Sequence, residues 1–231
     1  IIGSKRFIGK GLAGTGKTIL AAKIATNEIY RDKKILLLTK TKGLTKFLYV
    51  QLKKENINYE NSKMQIYNVD SFIPKVGQRL GIPVNRPSRG MTPEKLSEHF
   101  DNYIPQMCKT IFDSKPHEKY DLVVVDECQD FHKSWFSSLE SITKEDGQMI
   151  MFFDPLQNTL ENKTDSMAEI LKKPHEINFN SFTLTANYRN SSSISYLLSN
   201  LIKKYFPNEL NYSQHANESF KGKKPELIVS D

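Results

Sequence analysis

Apolar runs alternate with amphipathic stretches along the whole chain, and their order predicts its elements. "RFIGKG" (6–11) is a short strand that enters a glycine-rich turn, and 17–32 has helical spacing and good helix formers. "KKILLLTKT" (33–41) reads as a buried strand, and 43–56 as an amphipathic helix with Leu44, Phe47, Leu48 and Leu52 on its apolar side. "KMQIYNVDSF" (63–72) is a third strand candidate. The proline- and glycine-rich stretch 74–93 reads as an irregular loop. Thr92, Pro93 and Glu94 then signal a helix start, and 92–114 reads as a helical segment broken near Pro105.

The second half repeats the alternation. A buried strand is predicted at 121–126, a helix at 132–146 and a strand at 147–154. A short helix is expected within 164–172, an extended segment at 180–189 and a helix at 191–206. The tail, 222–231, reads as the start of another strand. Strands separated by helices argue for an α/β fold, a parallel sheet with helices on both faces. The expectation is a single domain over 1–231 with a small, mainly helical insertion at about 74–118.

Composition changes this picture little. At 38% hydrophobic and 26% charged residues the chain is a globular one. No apolar run reaches the ~20 residues of a membrane helix, so no membrane is expected. Two cysteines, Cys108 and Cys128, suggest neither a disulfide framework nor a metal site, and a cytoplasmic location is the default. The first residue is Ile, so the chain is expected to be part of a longer protein.

Charge adds more. The net charge is +7, yet residues 1–55 alone hold 13 Lys/Arg against 3 Asp/Glu, a balance of +10. That bias fits a polyanionic partner, phosphate or nucleic acid. A solvated lysine-rich face gives the same numbers.

Candidate chemistry decides more than charge. Gly11 to Thr18, "GLAGTGKT", fits the phosphate-loop pattern G-x-x-x-x-G-K-[ST] between a strand and a helix. Gly11, Gly14, Thr15 and Gly16 would let backbone amides converge on phosphate oxygens. Lys17 would reach the β- and γ-phosphates, and the Thr18 hydroxyl would ligate Mg²⁺. ATP and Mg²⁺ are the cofactors this implies. A second group is "LVVVDECQDF" (122–131), an apolar run that ends in acids. Asp126 fits the Mg²⁺-holding acid at a strand end, and Glu127 can activate water for attack on the γ-phosphate.

"DECQD" resembles the acid motif of superfamily 1 helicases of the UvrD/Rep type, and "GLAGTGKT" is similar to that family's phosphate loop. Three more segments match in order: "LLLTKT" (36–41), "FFDPLQ" (152–157) and "LTANYRNSSSI" (184–194). The resemblance implies a RecA-like P-loop domain, the first half of a two-domain helicase or translocase core. A second RecA-like domain would close the ATP cleft, and single-stranded or partly duplex DNA would be the partner, with RNA also open. It also implies residue roles. Gln129 and Gln157 would sense the γ-phosphate, Arg189 would stabilise its charge, and Tyr188 would stack on the base. Thr39, Thr41 and Lys42 would grip a nucleic-acid backbone, with Lys40, Lys46 and Lys53 adding charge. Phe72 would lie near a base, or else be plain core.

Two positions depart from the family pattern. No aromatic follows Gln157 within "NTLENKTD", and Phe153 stands where relatives carry glycine before Asp154. The missing aromatic and the short insertion keep open a P-loop ATPase that acts as a nucleic-acid-responsive switch in a repair or defence nuclease assembly, without unwinding. A scaffold with a vestigial ATPase is a further class, against which the complete set Lys17, Thr18, Asp126, Glu127 and Arg189 speaks.

Overall fold

A computed structural model describes residues 5–29, 32–54, 63–157 and 166–205, with a two-residue strand at 215–216. Its centre is a six-stranded sheet: β1 (Arg6–Gly11), β2 (Ile35–Thr39), β3 (Met64–Asn68), β4 (Tyr120–Val125), β5 (Thr143–Phe153) and β6 (Asn180–Leu184). The spatial order is β3-β2-β4-β5-β1-β6, and every neighbouring pair is parallel. β7 (Ala186–Asn187) pairs with β8 (His215–Ala216) outside it.

The central strands are continuously apolar because both faces are covered. Leu36, Leu38, Val123 and Val125 point to one face, Ile35, Leu37, Leu122 and Val124 to the other. The second face packs on α1 (Lys17–Ile29) and α2 (Lys42–Lys54) through Ala21, Ala25, Leu48 and Leu52. The first packs on α3 (Val69–Leu80), α5 (Ile104–Ser114), α6 (Trp135–Ile142) and α7 (Met167–Leu171). The parallel sheet with helices on both faces is therefore the predicted α/β fold.

Several boundaries differ from expectation. The strand predicted over 63–72 stops at Asn68, and α3 begins at Val69. Val69, Phe72, Ile73 and Val76 recur at helical spacing and are all buried, and that period outweighs the missing N–H of Pro74. The loop expected from residue 74 thus begins only at Gly81, whose positive φ of 68° ends the helix. Phe72 is fully buried against Phe112 and Tyr120, which corrects the expectation that it lies near a base.

The predicted helix at 132–146 is shorter, and Thr143 already begins β5, with a register irregularity opposite 120–122. Residues 158–165 and 217–231, which include "NTLENKTD" and the tail strand, lie outside the described residues.

No break occurs at Pro105. α4 (Pro93–Glu98) runs through a wide π-turn at His99–Tyr103 into α5. The wide turn, and a proline that has no N–H, disturb the regular pairing of carbonyls there. α6 and the residue before it supply donors instead. Trp135 Nε1 donates to Phe100 O at 3.3 Å, Ser134 Oγ to Asp101 O, and Ser138 Oγ to Pro105 O at 2.7 Å.

Candidate functional site

Parallel strands place their carboxyl ends on one edge of the sheet, where α/β proteins build their sites. There β1 meets the glycine-rich loop, Asp126 follows β4, Asp154 follows β5, and β6 leads through β7 to Tyr188 and Arg189. β5 lies between β1 and β4, so the acid strand is not the direct neighbour of the loop strand.

Gly14 and Gly16 both have φ of +85°, which curls the loop before α1 starts. Thr15 is buried and its hydroxyl donates to Leu12 O at 2.8 Å, pinning the turn from inside. Lys17 is buried within the loop. Its Nζ donates to Gly11 O at 2.9 Å and Leu12 O at 3.2 Å and lies 3.6 Å from Asp154 Oδ2. Burial pushes the Asp154 carboxyl up, while the Lys17 ammonium opposes that shift.

The Thr18 hydroxyl donates to Asp126 Oδ2 at 2.6 Å. Asp126 is fully buried, and burial pushes its carboxyl up to about 6 against the Thr18 hydrogen bond. Its other oxygen, Oδ1, is buried with no hydrogen-bond partner. An orphaned carboxylate oxygen beside a hydroxyl is a fit for a hard divalent cation such as Mg²⁺. Among the described residues no group of three or more His, Cys, Asp or Glu could form an all-protein cage. One carboxylate plus phosphate oxygens is the usual Mg²⁺ arrangement.

Glu127 follows in the left-handed region, φ 56° and ψ 45°, and a 3₁₀ turn, Cys128–Asp130, comes next. Cys128 is fully buried, with its thiol pushed up by burial, so it packs and does not react. Gln129 is 1% exposed. Its Nε2 donates to Glu127 Oε2 at 2.5 Å, and its Oε1 accepts from Asp154 N at 3.0 Å.

Gly14, Gly16, Lys17, Thr18, Glu127, Gln157 and Arg189 line one cleft of about 210 Å³. Tyr188, 59% exposed, has its ring beside Gly16. Gln129, expected to sense the γ-phosphate, is not among the lining residues, and its side chain is engaged by Glu127 and Asp154. Thr39 also differs from expectation. It is buried, and its hydroxyl shares a 2.7 Å hydrogen bond with Thr45, which removes it from direct nucleic-acid contact.

Thr41 caps α2, its Oγ1 accepting from Leu44 N at 3.2 Å. It lines a second, shallower cleft with Lys40 and Asp130. The two clefts share Leu44, Phe47, Glu127 and Gln157 as walls. Lys42 is exposed and lines a groove with Lys46, Lys75, Tyr49 and Tyr67.

Asn187 belongs to the matched "NYR" segment, but the sequence assigns it no role. Fully buried, it donates from Nδ2 to Ala13 O at 3.3 Å and accepts at Oδ1 from Arg189 N and Asn190 N, both at 2.9 Å. Tyr188 N donates to Gly14 O at 2.8 Å. The segment carrying Tyr188 and Arg189 is thereby fastened to the glycine-rich loop. The only sequence signal was the asparagine of "NYR" itself.

The family model described as Schlafen group 3, DNA/RNA helicase domain, matches residues 4–221. The chain belongs to this family. Two solved structures are similar to this Schlafen group 3 domain at 16% identity. One is a Pif1 helicase from Bacteroides in complex with ADP-AlF3 and single-stranded DNA, with a TM-score of 0.45 over 90% of this chain. The other concerns DNA unwinding at forked duplex DNA by two coordinating Pif1 helicases, with a TM-score of 0.42 over 87% of this chain. This chain covers 44% of each of those chains. No curated protein matches.

Proposed function

We propose that this Schlafen group 3 helicase domain is an ATP-binding and hydrolysing motor domain of superfamily 1, as its motifs resemble the UvrD/Rep type. The observation that carries the reading is the convergence of Lys17, the Thr18–Asp126 pair, Glu127 and Arg189 on one cleft. Loop amides around Gly14 and Gly16, with the N-terminus of α1, receive the phosphates. Lys17 exchanges its loop carbonyls for the β- and γ-phosphates. Thr18 and Asp126 would hold Mg²⁺, which when bound would neutralise charge on the phosphate oxygens. Glu127 orients the attacking water, and Arg189 and Gln157 face the γ-phosphate across the cleft. Tyr188 offers its exposed ring to the base.

A cleft of about 210 Å³ is smaller than the ~300–1,000 Å³ of an enclosed ligand site. We assign its missing wall to a second RecA-like domain. The nucleic-acid path follows Lys40, Thr41 and Lys42, with single-stranded or partly duplex DNA, or RNA, as the substrate. Walls shared between this path and the ATP cleft give a route for coupling.

The test is Mg²⁺–ATP hydrolysis by the full-length protein, with and without a single-stranded oligonucleotide. Glu127→Gln is expected to lower kcat by ~100-fold or more while ATP still binds. Unchanged hydrolysis would remove Glu127 from the mechanism. Displacement of a labelled strand separates a helicase from an ATPase switch.

A further inference from the structure

We propose that Gln129 is a positioning residue, one that aims the Glu127 carboxylate and does not touch the γ-phosphate. The proposal rests on the assignment of Glu127 as the water-orienting group. Three observations point to it. The first is the state of its amide. Gln129 is buried, lies off the cleft wall, and has both ends of its side chain engaged. The backbone N–H of Asp154 can only donate, so the carbonyl end of Gln129 must face it. The NH₂ end is then fixed toward Glu127 Oε2, which leaves Oε1 for the cleft that Glu127 lines.

The second observation is backbone conformation. A glutamate at φ 56° is uncommon, because its Cβ crowds the following carbonyl, and it persists only where the surroundings hold it. The bend folds the carboxylate back onto the side chain two residues along. The third is anchoring. Gln129 O accepts from Ser166 Oγ at 2.7 Å, and that hydroxyl also caps α7 by accepting from Ala168 N at 3.1 Å. Gln129 therefore joins three places: the turn after β4, the end of β5 and the start of α7. A long carboxylate with free χ angles would sample many directions; one held from behind samples few.

The experiment compares Gln129→Met, Glu127→Gln and the double variant in the full-length protein, in single-turnover hydrolysis and in binding of ATPγS and ADP. Gln129→Met is expected to lower kcat by about 10–100-fold, the scale of a misplaced catalytic group. KM and the ATPγS-to-ADP affinity ratio should stay within about twofold. In the Glu127→Gln background, adding Gln129→Met should change the rate less than about twofold, since its effect passes through the lost carboxylate. Gln129→Asn, which keeps the buried amide but is one methylene too short for both partners, should reproduce the kcat loss if the Met variant folds poorly.

A collapse of the ATPγS-to-ADP ratio would overturn the proposal in favour of direct γ-phosphate contact. So would a full further loss in the double variant, which would mean a general structural role. An unchanged kcat in both Gln129 variants would overturn it as well. Hydrolysis unaffected by Glu127→Gln would overturn the function proposed above and this inference with it.

Discussion

Gly14 and Gly16 form a controlled pair for testing how the loop is held. Both have φ of +85°, so alanine at either carries the left-handed penalty of roughly 1–2 kcal/mol. Their surroundings differ. A Cβ on Gly16 would meet only the Tyr188 ring, at 3.8 Å. One on Gly14 would come within 2.8 Å of Asn187 Oδ1 and 2.9 Å of Arg189 Cβ. Asn187 is fully buried and cannot move without loosening the two 2.9 Å hydrogen bonds its Oδ1 accepts. At ~0.5–1.5 kcal/mol each, these add about 1–3 kcal/mol to the cost at Gly14. For a domain this size 1 kcal/mol corresponds to about 2–4 °C in Tm. Gly14→Ala should therefore melt ~2–12 °C below Gly16→Ala when both are followed by circular dichroism. Equal melting temperatures, or Gly16→Ala the lower, would show that Asn187 does not fill the space over Gly14.

Two further perturbations read the charges. Asp126 has its folded pKa raised to about 6, above the ~4 of an exposed aspartate. The folded state thus holds the proton more tightly, and stability falls as pH rises from 4 through 6. Asp126→Asn should stabilise the metal-free protein at pH 7.5 by ~1–3 kcal/mol, with no gain at pH 4, and abolish Mg²⁺-dependent nucleotide binding. Thermal melts at the two pH values check this; destabilisation at pH 7.5 would contradict it. Glu118 behaves oppositely. Hydrogen bonds from Arg79 and then Lys34 lower its carboxyl to about 2, so its contribution is complete above pH ~4.5 and lost as pH falls toward 2. Glu118→Gln should cost ~1–2 kcal/mol at pH 7, after allowance for solvent around the partly exposed Arg79, and leave nucleotide affinity unchanged. Urea unfolding at pH 7 and pH 3 measures it, and an equal cost at both would contradict the assignment.

Much of the site was legible because its chemistry is local in sequence. The glycine pattern of 11–18 and the strand-end acids 126–127 each encode a turn and a set of donors within eight residues or fewer. What was hidden depends on partners far along the chain. Gln129 bonds to Asp154, 25 residues later, and Asn187 to Ala13, 174 residues earlier. Phe72 was misplaced for a different reason. Pro74 masks the helical period of Val69, Phe72, Ile73 and Val76, so the segment read as a strand running into a loop. Thr39 lies in a segment that matches a nucleic-acid-facing motif, yet it ends a fully buried strand and its hydroxyl turns inward to Thr45.

The hydrogen bonds between the π-turn segment and α6 have a bearing on how the molecule breathes. The carbonyls of Phe100, Asp101 and Pro105 accept from Trp135, Ser134 and Ser138. Lifting α4–α5 away would break these three hydrogen bonds together, so the two pieces are expected to open as one unit. α6 starts five residues beyond Asp130, directly downstream of the acid turn. Amide protons of 93–114 and 135–142 are therefore expected to exchange together, as one cooperative unit on either side of the acid turn in sequence.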